Sequence, residues 1–220
     1  MRLRPARGTA WVVICVLALA TSACIKERPP LRGSLTALVL LNYQVDYLRA
    51  DGRMPVAQDQ VGGLIKATNK MIAAMRQRPM PVIYTLNEFT PFEPVSDLGQ
   101  SFSALRFESG SALDKRINYL GGVYFSNDDW DAFANPQFAK HLQLIGAGHL
   151  VLAGTYPERS VLDTAREAKR RLYAVTVISD AVASADAQRR DAALQALRQV
   201  GVEIETSDQF IASLGQENKS

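Results

Sequence analysis

Residues 150–168 read LVLAGTYPERSVLDTAREA, and this stretch decides the fold. The apolar run at its start predicts a buried strand, Gly154 and the residues after it predict a turn, and a helix is expected to begin at Ser160. In an open α/β sheet, ligands bind at such strand-to-helix turns, because the first N–H groups of a helix lack partners within it. Ser160 therefore stands where a nucleophile would act, although serine is also a preferred N-cap residue.

The rest of the chain alternates between strand and helix patterns. Predicted strands cover residues 35–41, 81–86, 122–126, 150–153, 173–179 and 202–205, and predicted helices cover residues 59–77, 136–145, 160–172, 186–200 and a segment after 208. Strands that alternate with helices imply parallel pairing through right-handed crossovers. The sequence predicts an α/β fold, a three-layer α/β/α Rossmann-like sandwich with a six-stranded, mostly parallel sheet, formed as one domain by residues 35–220.

The first 23 residues have the three parts of a secretory signal: a basic start, an apolar run and small residues before Cys24. The apolar run is shorter than the roughly 20 residues that a spanning helix needs. Ser22-Ala23-Cys24 resembles a bacterial lipobox, which predicts a lipidated Cys24 followed by a polar tether over residues 25–34. The alternative is an ordinary cleavable signal with an incidental cysteine. The lipobox interpretation places the protein in the bacterial cell envelope, held at a membrane by its N-terminal lipid.

Charge and cysteine content exclude several classes of function. Arg2, Arg4 and Arg7 lie in the leader, so the remaining chain is close to neutral and lacks the net positive charge typical of nucleic-acid binding. The two cysteines are Cys15 in the leader and Cys24, so the domain has no thiol for catalysis, disulfides or metal. No GxGxxG segment follows a predicted strand, and no cofactor is expected.

Asn42, Asn127 and Ser160 follow three predicted strands, at the sheet edge where functional residues gather. At this point the sequence resembles a known family. The segment LVLLNYQVDY, residues 38–47, is similar to the opening motif of isochorismatase-like cysteine hydrolases, which include nicotinamidases. Residues 150–168 resemble that family's nucleophile motif, residues 177–184 (VISDAVAS) its next strand end, and residues 200–208 (VGVEIETSD) its C-terminal part. The resemblance covers residues 35–214.

The resemblance implies hydrolysis by an Asp, a Lys and a Cys beside a backbone oxyanion hole, and all three positions depart from it. Asn42 stands at the position of the Asp, Asn127 falls at that of the Lys, and Ser160 at that of the Cys. An amide has no lone pair basic enough to take a proton. What matches the family is scaffold: Gln44, Asp46, Gly154, Thr164, Ala165, Ala168 and Asp180.

The metal ligands that nicotinamidases carry after the second strand are replaced as well. Asn87 and Phe89 stand where an Asp and a His are expected, and the two histidines of the chain, His141 and His149, do not supply a site. No protein metal site is therefore predicted. About five strand residues separate His149 from the turn, roughly 16 Å, so it is not placed to act as a base for Ser160.

Several side chains near the strand ends leave alternatives open. Asp46 is either a relocated catalytic acid or a residue that hydrogen-bonds loops, and Ser160 is either a nucleophile or an N-cap. Aromatic residues at this edge either line a small-molecule pocket or close the core. The predicted ligand-binding residues are Gln44, Phe89, Trp130 and Tyr156.

Two functions follow from these observations. The first is a membrane-tethered, catalytically silent protein that keeps the family pocket as a binding or interaction surface, motivated by the loss of all three chemical positions. The second is an envelope hydrolase that uses Ser160 or Asp46 on a small amide or vinyl-ether substrate. A purely structural envelope protein is a third option, and the resemblance leaves homo-oligomerisation open.

Overall fold

The computed structural model describes residues 33–78, 80–90 and 103–217. The predicted leader, Cys24 and the tether up to residue 32 lie outside the described residues. The strands are β1 (Leu35–Leu41), β2 (Val82–Asn87), β3 (Val123–Asn127), β4 (Ala147–Thr155), β5 (Ala174–Ala183) and β6 (Glu203–Glu205). The α-helices are α1 (Val45–Leu48), α2 (Gln58–Met75), α3 (Pro136–Leu144), α4 (Leu162–Arg170), α5 (Ala187–Gln199) and α6 (Ser207–Glu217).

The six strands form one sheet in the order β3-β2-β1-β4-β5-β6, and every pairing is parallel. The predicted fold class is confirmed, with an all-parallel rather than a mostly parallel sheet. From β1 the chain first builds the sheet outward through β2 and β3, and then returns to β4 on the other side of β1. This reversal creates a crevice at the carboxyl ends of β1 and β4, the usual ligand site of such sheets.

The continuous apolar sequence of β1 is explained by burial on both faces. Leu38 and Leu40 point into one core layer and Val39 and Leu41 into the other, as the two-residue period of a strand requires. The first layer packs against α2 and α6 and the second against α3, α4 and α5. Helix residues of these layers include Leu64, Met71, Phe210 and Leu214 on the first face, and Phe138, Leu142, Ala165 and Leu197 on the second.

Gly154 lets β4 lie close to β1 at the edge of the crevice. A Cβ atom at this position would lie 2.3 Å from the carbonyl oxygen of Leu41, a backbone atom that cannot move aside. The register of β4 against β5 also shifts between Leu152 and Gly154. Gly154 therefore positions the turn that follows, as the sequence pattern indicates.

The turn after β4 differs from its prediction. The strand extends to Thr155, Tyr156 takes a left-handed conformation with φ 53°, and one turn of π-helix covers Pro157–Val161 before α4 begins at Leu162. The prediction that a helix starts at Ser160 is therefore wrong by about one turn, because the π-helical turn already begins at Pro157. Single π-helical turns are rare and are frequently found at functional sites.

Among the described helices, none combines the length and the apolar character that crossing a bilayer requires.

Candidate functional site

Asn42 directly follows β1 and lies at the bottom of the crevice. Its backbone is left-handed, with φ 60°, a conformation that Asn tolerates better than most residues. Its N–H donates to the carbonyl of Thr85 at 2.9 Å, and its own carbonyl accepts from the hydroxyl of Thr155 at 2.8 Å. Asn42 is 2% exposed. The backbone of this residue thus joins the ends of β1, β2 and β4.

Ser160 lies inside the π-helical turn and is completely buried. Its hydroxyl donates to the carbonyl of Thr155 at 2.6 Å and approaches that of Tyr156 at 3.4 Å. The N-cap interpretation is therefore wrong, since an N-cap oxygen accepts from backbone N–H groups, whereas Ser160 donates backward to carbonyls. Thr155 links Ser160 to Asn42, so these two predicted site residues lie close together.

Asn127 ends β3 and lies beside the end of β2, where it is in register with Asn87. Its carbonyl accepts from the N–H of Glu88 at 2.7 Å, and its side-chain amide donates to the carbonyl of Asp131. Two strand spacings separate β3 from β1, about 10 Å. The side chain of Asn127 is thus engaged with its own loop.

Asp46 is buried among loops. Its carboxylate accepts from the N–H of Ala104 at 2.8 Å and from that of Arg53 at 3.2 Å. A Cβ added at Gly110 would lie 2.1 Å from one carboxylate oxygen, so that loop packs directly against the acid. These contacts support the loop-bonding alternative, because both carboxylate oxygens already accept from backbone N–H groups.

Gln44 ties β2 to the segment that precedes residue 112. Its side-chain NH2 donates to the carbonyls of Asn87 and Ser111, both at 2.7 Å, and its side-chain oxygen accepts from the N–H of Asn87 at 2.8 Å. Gln44 is 0% exposed. Its hydrogen-bonding groups are thus committed to the protein, and Gln44 shapes the site without facing a ligand.

The aromatic residues predicted for ligand binding do converge. Trp130 lies at the centre, with ring centroids 5.8 Å from Phe89, 5.8 Å from Tyr156 and 6.0 Å from Tyr47. Phe89, Tyr47 and Tyr156 are buried, whereas Trp130 is partly exposed. The cluster therefore closes the core on its inner side and presents one tryptophan outward.

The two tyrosines of this cluster cannot act as bases. Burial raises the pKa of Tyr47 to about 12 and raises that of Tyr156 further above its ordinary value. The hydroxyl of Tyr156 donates to the carbonyl of Met54 at 2.7 Å. Both phenols therefore stay protonated at physiological pH.

Sequence reasoning missed two charged residues at the outer side of the cluster. The guanidinium of Arg159 lies over the ring of Trp130, 5.1 Å from its centroid, in a cation–π contact. Among the described residues no ion pair of Arg159 is found. Asp131 caps the short helix Ala132–Ala134, and burial together with neighbouring carboxylates raises its pKa to about 6. The one sequence signal was the capping position of Asp131.

No group of three or more His, Cys, Asp or Glu side chains suited to a metal ion occurs in the part of the chain that the structure describes. His149 bonds Thr176 at 2.9 Å at the start of the strands, far from Ser160. A separate cavity of about 750 Å³ is lined by residues of α1 and of the segment 109–116, and none of Asn42, Asn127 and Ser160 lines it.

The sequence matches the isochorismatase domain over residues 36–209. No curated protein matches it significantly. Similar solved structures include an isochorismatase-like hydrolase from Alkaliphilus metalliredigens, with 18% identity, a TM-score of 0.76 and coverage of 82% of this chain and 100% of that one. A cysteine hydrolase from Pseudomonas syringae is 18% identical, with a TM-score of 0.75 over 86% of this chain and 96% of that one.

An N-carbamoylsarcosine amidase from Thermoplasma acidophilum is 23% identical, with a TM-score of 0.68 over 79% of this chain and 97% of that one. At such identities the solved structures show a shared fold. The domain match covers most of the chain and agrees with the strand order, the crevice and the motifs at its edge. The chain therefore belongs to the isochorismatase family.

Proposed function

We propose that this chain is a membrane-tethered, catalytically silent isochorismatase-like protein whose strand-end site binds a small molecule. The hydrogen bond from Ser160 to the Thr155 carbonyl carries this proposal. A serine nucleophile must give its proton to a base, and here the proton is held by a carbonyl that cannot accept it in a reaction. Ser160 therefore has a structural role, in which its hydroxyl stabilises the turn after β4.

The neighbouring groups support the same conclusion. Asn42 and Asn127 carry amides, Asp46 is held by backbone donors, and both buried tyrosines stay protonated. Among the described residues, no basic side chain accepts from the hydroxyl of Ser160, as general base catalysis would require. The arrangement keeps the scaffold of a hydrolase without its proton-transfer groups.

Turnover assays test the proposed silence. Purified protein is incubated with amide, carbamate and vinyl-ether substrates, and the rates are compared with those of the Ser160→Ala and Asp46→Asn variants. We expect all three proteins to give the same background rate. Turnover by the parent that either variant abolishes would instead establish a hydrolase with rewired chemistry, the activity that the names of the similar structures favour.

A gain-of-function variant tests whether activity is missing only because three side chains differ from the family, or because the surrounding crevice has also changed. The triple variant Asn42→Asp, Asn127→Lys and Ser160→Cys restores the acid, the lysine and the thiol of the family. We expect it to hydrolyse at least one of these substrates faster than the matched triple that carries Ser160→Ala. Equal rates in two folded triples would show that the surrounding crevice has changed as well.

Trp130 and Arg159 are the residues that we propose contact the ligand. Among the described residues, the guanidinium of Arg159 has no ion-pair partner, and it lies beside the aromatic face of Trp130. This pair suits an aromatic carboxylate, whose ring can stack on Trp130 while its carboxylate pairs with Arg159. Outside residues 1–23, Trp130 is the single tryptophan of the sequence, so its fluorescence reports on this site. We expect benzoate to quench it more strongly than benzamide, and Arg159→Gln to remove that difference. Equal effects of both compounds would contradict a carboxylate site.

The proposed tether is a lipid on Cys24. We expect the protein to fractionate with membranes and Cys24→Ala to release it, with the lipid detected by mass spectrometry of the mature N-terminus. Cleavage after another residue and a soluble mature protein would contradict the tether and leave the proposal about the site unchanged.

A further inference from the structure

Exposed apolar side chains gather at the amino edge of the sheet, where the parallel strands begin. In the described part of the chain, six large hydrophobic side chains are exposed, and five of them lie at this edge. They are Tyr119, Val123 and Tyr124 at the start of β3, Leu144 before β4 and Leu172 before β5. Leu144 is 82% exposed. Monomeric surfaces seldom concentrate exposed apolar residues in this way without a partner.

Leu172 is strained as well as exposed. It has φ 70° at the residue after the last turn of α4, and the N–H of Tyr173 bonds back to the carbonyl of Ala168. Glycine usually occupies such a helix-closing position, because a side chain costs roughly 1 kcal/mol in the left-handed region. Leu172 is 43% exposed, so part of its side chain is available to a contact outside the domain.

Basic residues lie at the same edge, because the helices that cross back over the sheet end there. The cations are Arg76, Arg78, Lys169, Arg170, Arg171 and Arg198. Glu167 pairs with Arg170 and Arg171, and Glu203 lies at the start of β6. Cations near helix C-termini also stabilise the helices. Helix stabilisation by these cations does not explain the exposed apolar side chains at the same edge. The cations also outnumber the carboxylates at this edge, although the domain as a whole is nearly neutral.

Three tyrosines add an aromatic group to this edge. The ring of Tyr124 stacks on those of Tyr84 and Tyr119, with centroids 5.1 and 5.4 Å apart. Burial raises the pKa of Tyr84 above its ordinary value, and the charge of Arg76 acts in the opposite direction. Tyrosines beside basic side chains are enriched where proteins meet the headgroup layer of a bilayer, since their rings are apolar and their hydroxyls polar.

The chain also enters the domain at this edge. Gly33 precedes β1 and packs against Gly146, and a Cβ at Gly33 would overlap the Gly146 carbonyl. Eight residues lie between Cys24 and Gly33, and the nine residue steps that join them reach about 30 Å at most. A lipid on Cys24 would therefore hold the amino edge, with its cations and apolar side chains, near the membrane.

We propose that the amino edge of the sheet docks on an anionic phospholipid surface. This inference rests on the proposed membrane tether and adds an orientation to it. Cations pair with lipid phosphates, Leu144 and Leu172 enter the headgroup layer, and the tyrosine stack lies at the interface. The carboxyl edge, with Trp130 and Arg159, then faces away from the membrane and stays open to soluble ligands.

Vesicle flotation of the chain from Ile25 to Ser220 without lipid tests the docking surface. This chain contains every described strand and helix, so it keeps the whole fold. We expect it to bind phosphatidylcholine vesicles that contain phosphatidylglycerol and to bind pure phosphatidylcholine vesicles much less. Leu144→Ser combined with Arg198→Gln should weaken binding about tenfold, because it removes one apolar and one charged contact.

Phe107→Ser combined with Arg106→Gln is the matched control. Phe107 is 97% exposed and lies beyond the carboxyl end of β2, so this pair removes the same types of side chain from the other edge. We expect it to bind vesicles like the parent. Equal losses in both variants, no binding by the parent, or equally strong binding to a DNA duplex would overturn the proposal. Because this chain carries no lipid, these outcomes are independent of whether Cys24 is lipidated.

Discussion

At the scale of single residues, the buried hydroxyl of Ser160 contributes to stability. Ser160→Ala leaves the Thr155 carbonyl without this donor, and we expect a loss of about 1 kcal/mol in the free energy of unfolding by urea. Ser213→Ala is the control, since its hydroxyl makes a similar bond to the Phe210 carbonyl on an exposed helix face. Equal losses in both variants would contradict a special role for the buried turn.

Asp131 gives the stability of the domain a specific pH dependence. Its pKa is about 6 in the folded protein against 3.8 as the ordinary value, mainly because burial disfavours the charged form. The folded state therefore binds the proton more tightly, and this contribution to stability is present at low pH and lost as the pH rises through about 6. Asp131→Asn keeps the side-chain oxygen that caps Phe133 and removes the charge.

We expect Asp131→Asn to be more stable than the parent at pH 8, by roughly 1 kcal/mol once solvent screening of a partly exposed group is allowed for. The difference should vanish in denaturation curves recorded below the ordinary pKa of 3.8. Asp51→Asn should change stability in the opposite direction, because Arg49 lowers the pKa of Asp51. A pH-independent effect of Asp131→Asn would show that its carboxyl is not perturbed.

At the scale of elements, the contact between β1 and β4 depends on Gly154. Gly154→Ala places a Cβ against the Leu41 carbonyl, and both strands are buried and paired on two sides, so neither can move away. We expect a loss of at least about 2 kcal/mol, measured by chemical denaturation. Gly63→Ala is the control, because no atom lies within 4 Å of its added Cβ on α2, and alanine should stabilise that helix slightly. A tolerated Gly154→Ala would mean that the crevice is more open than the structure shows.

At the scale of the whole molecule, both core layers are built from residues between Ala37 and Leu214. We therefore expect removal of residues 1–32 to leave one cooperative thermal transition, with a midpoint within about 3 °C of that of the mature protein. Loss of cooperativity would show that the excluded segment completes the core. A domain that folds without residues 1–32 would leave the proposed tether free to act as a simple anchor.

The sequence by itself determined the fold class, the alternation of strands and helices, and membership of the isochorismatase family. Apolar runs, glycines and turn residues are local signals, and β1 and Gly154 follow them because burial on both faces requires those residue types. The absence of a thiol from the domain also follows from the sequence alone.

Only the tertiary structure decided how those residues are used. The carbonyl that Ser160 bonds, the donors that hold Asp46 and the rings around Trp130 come from separate turns, strands and loops, and no local pattern specifies such contacts. The same holds for the pKa of Asp131, which depends on burial, and for the amino edge, where residues far apart in sequence share one surface because every strand is parallel. Periodicity records which residues are buried, whereas the packing of distant segments decides which of them meet.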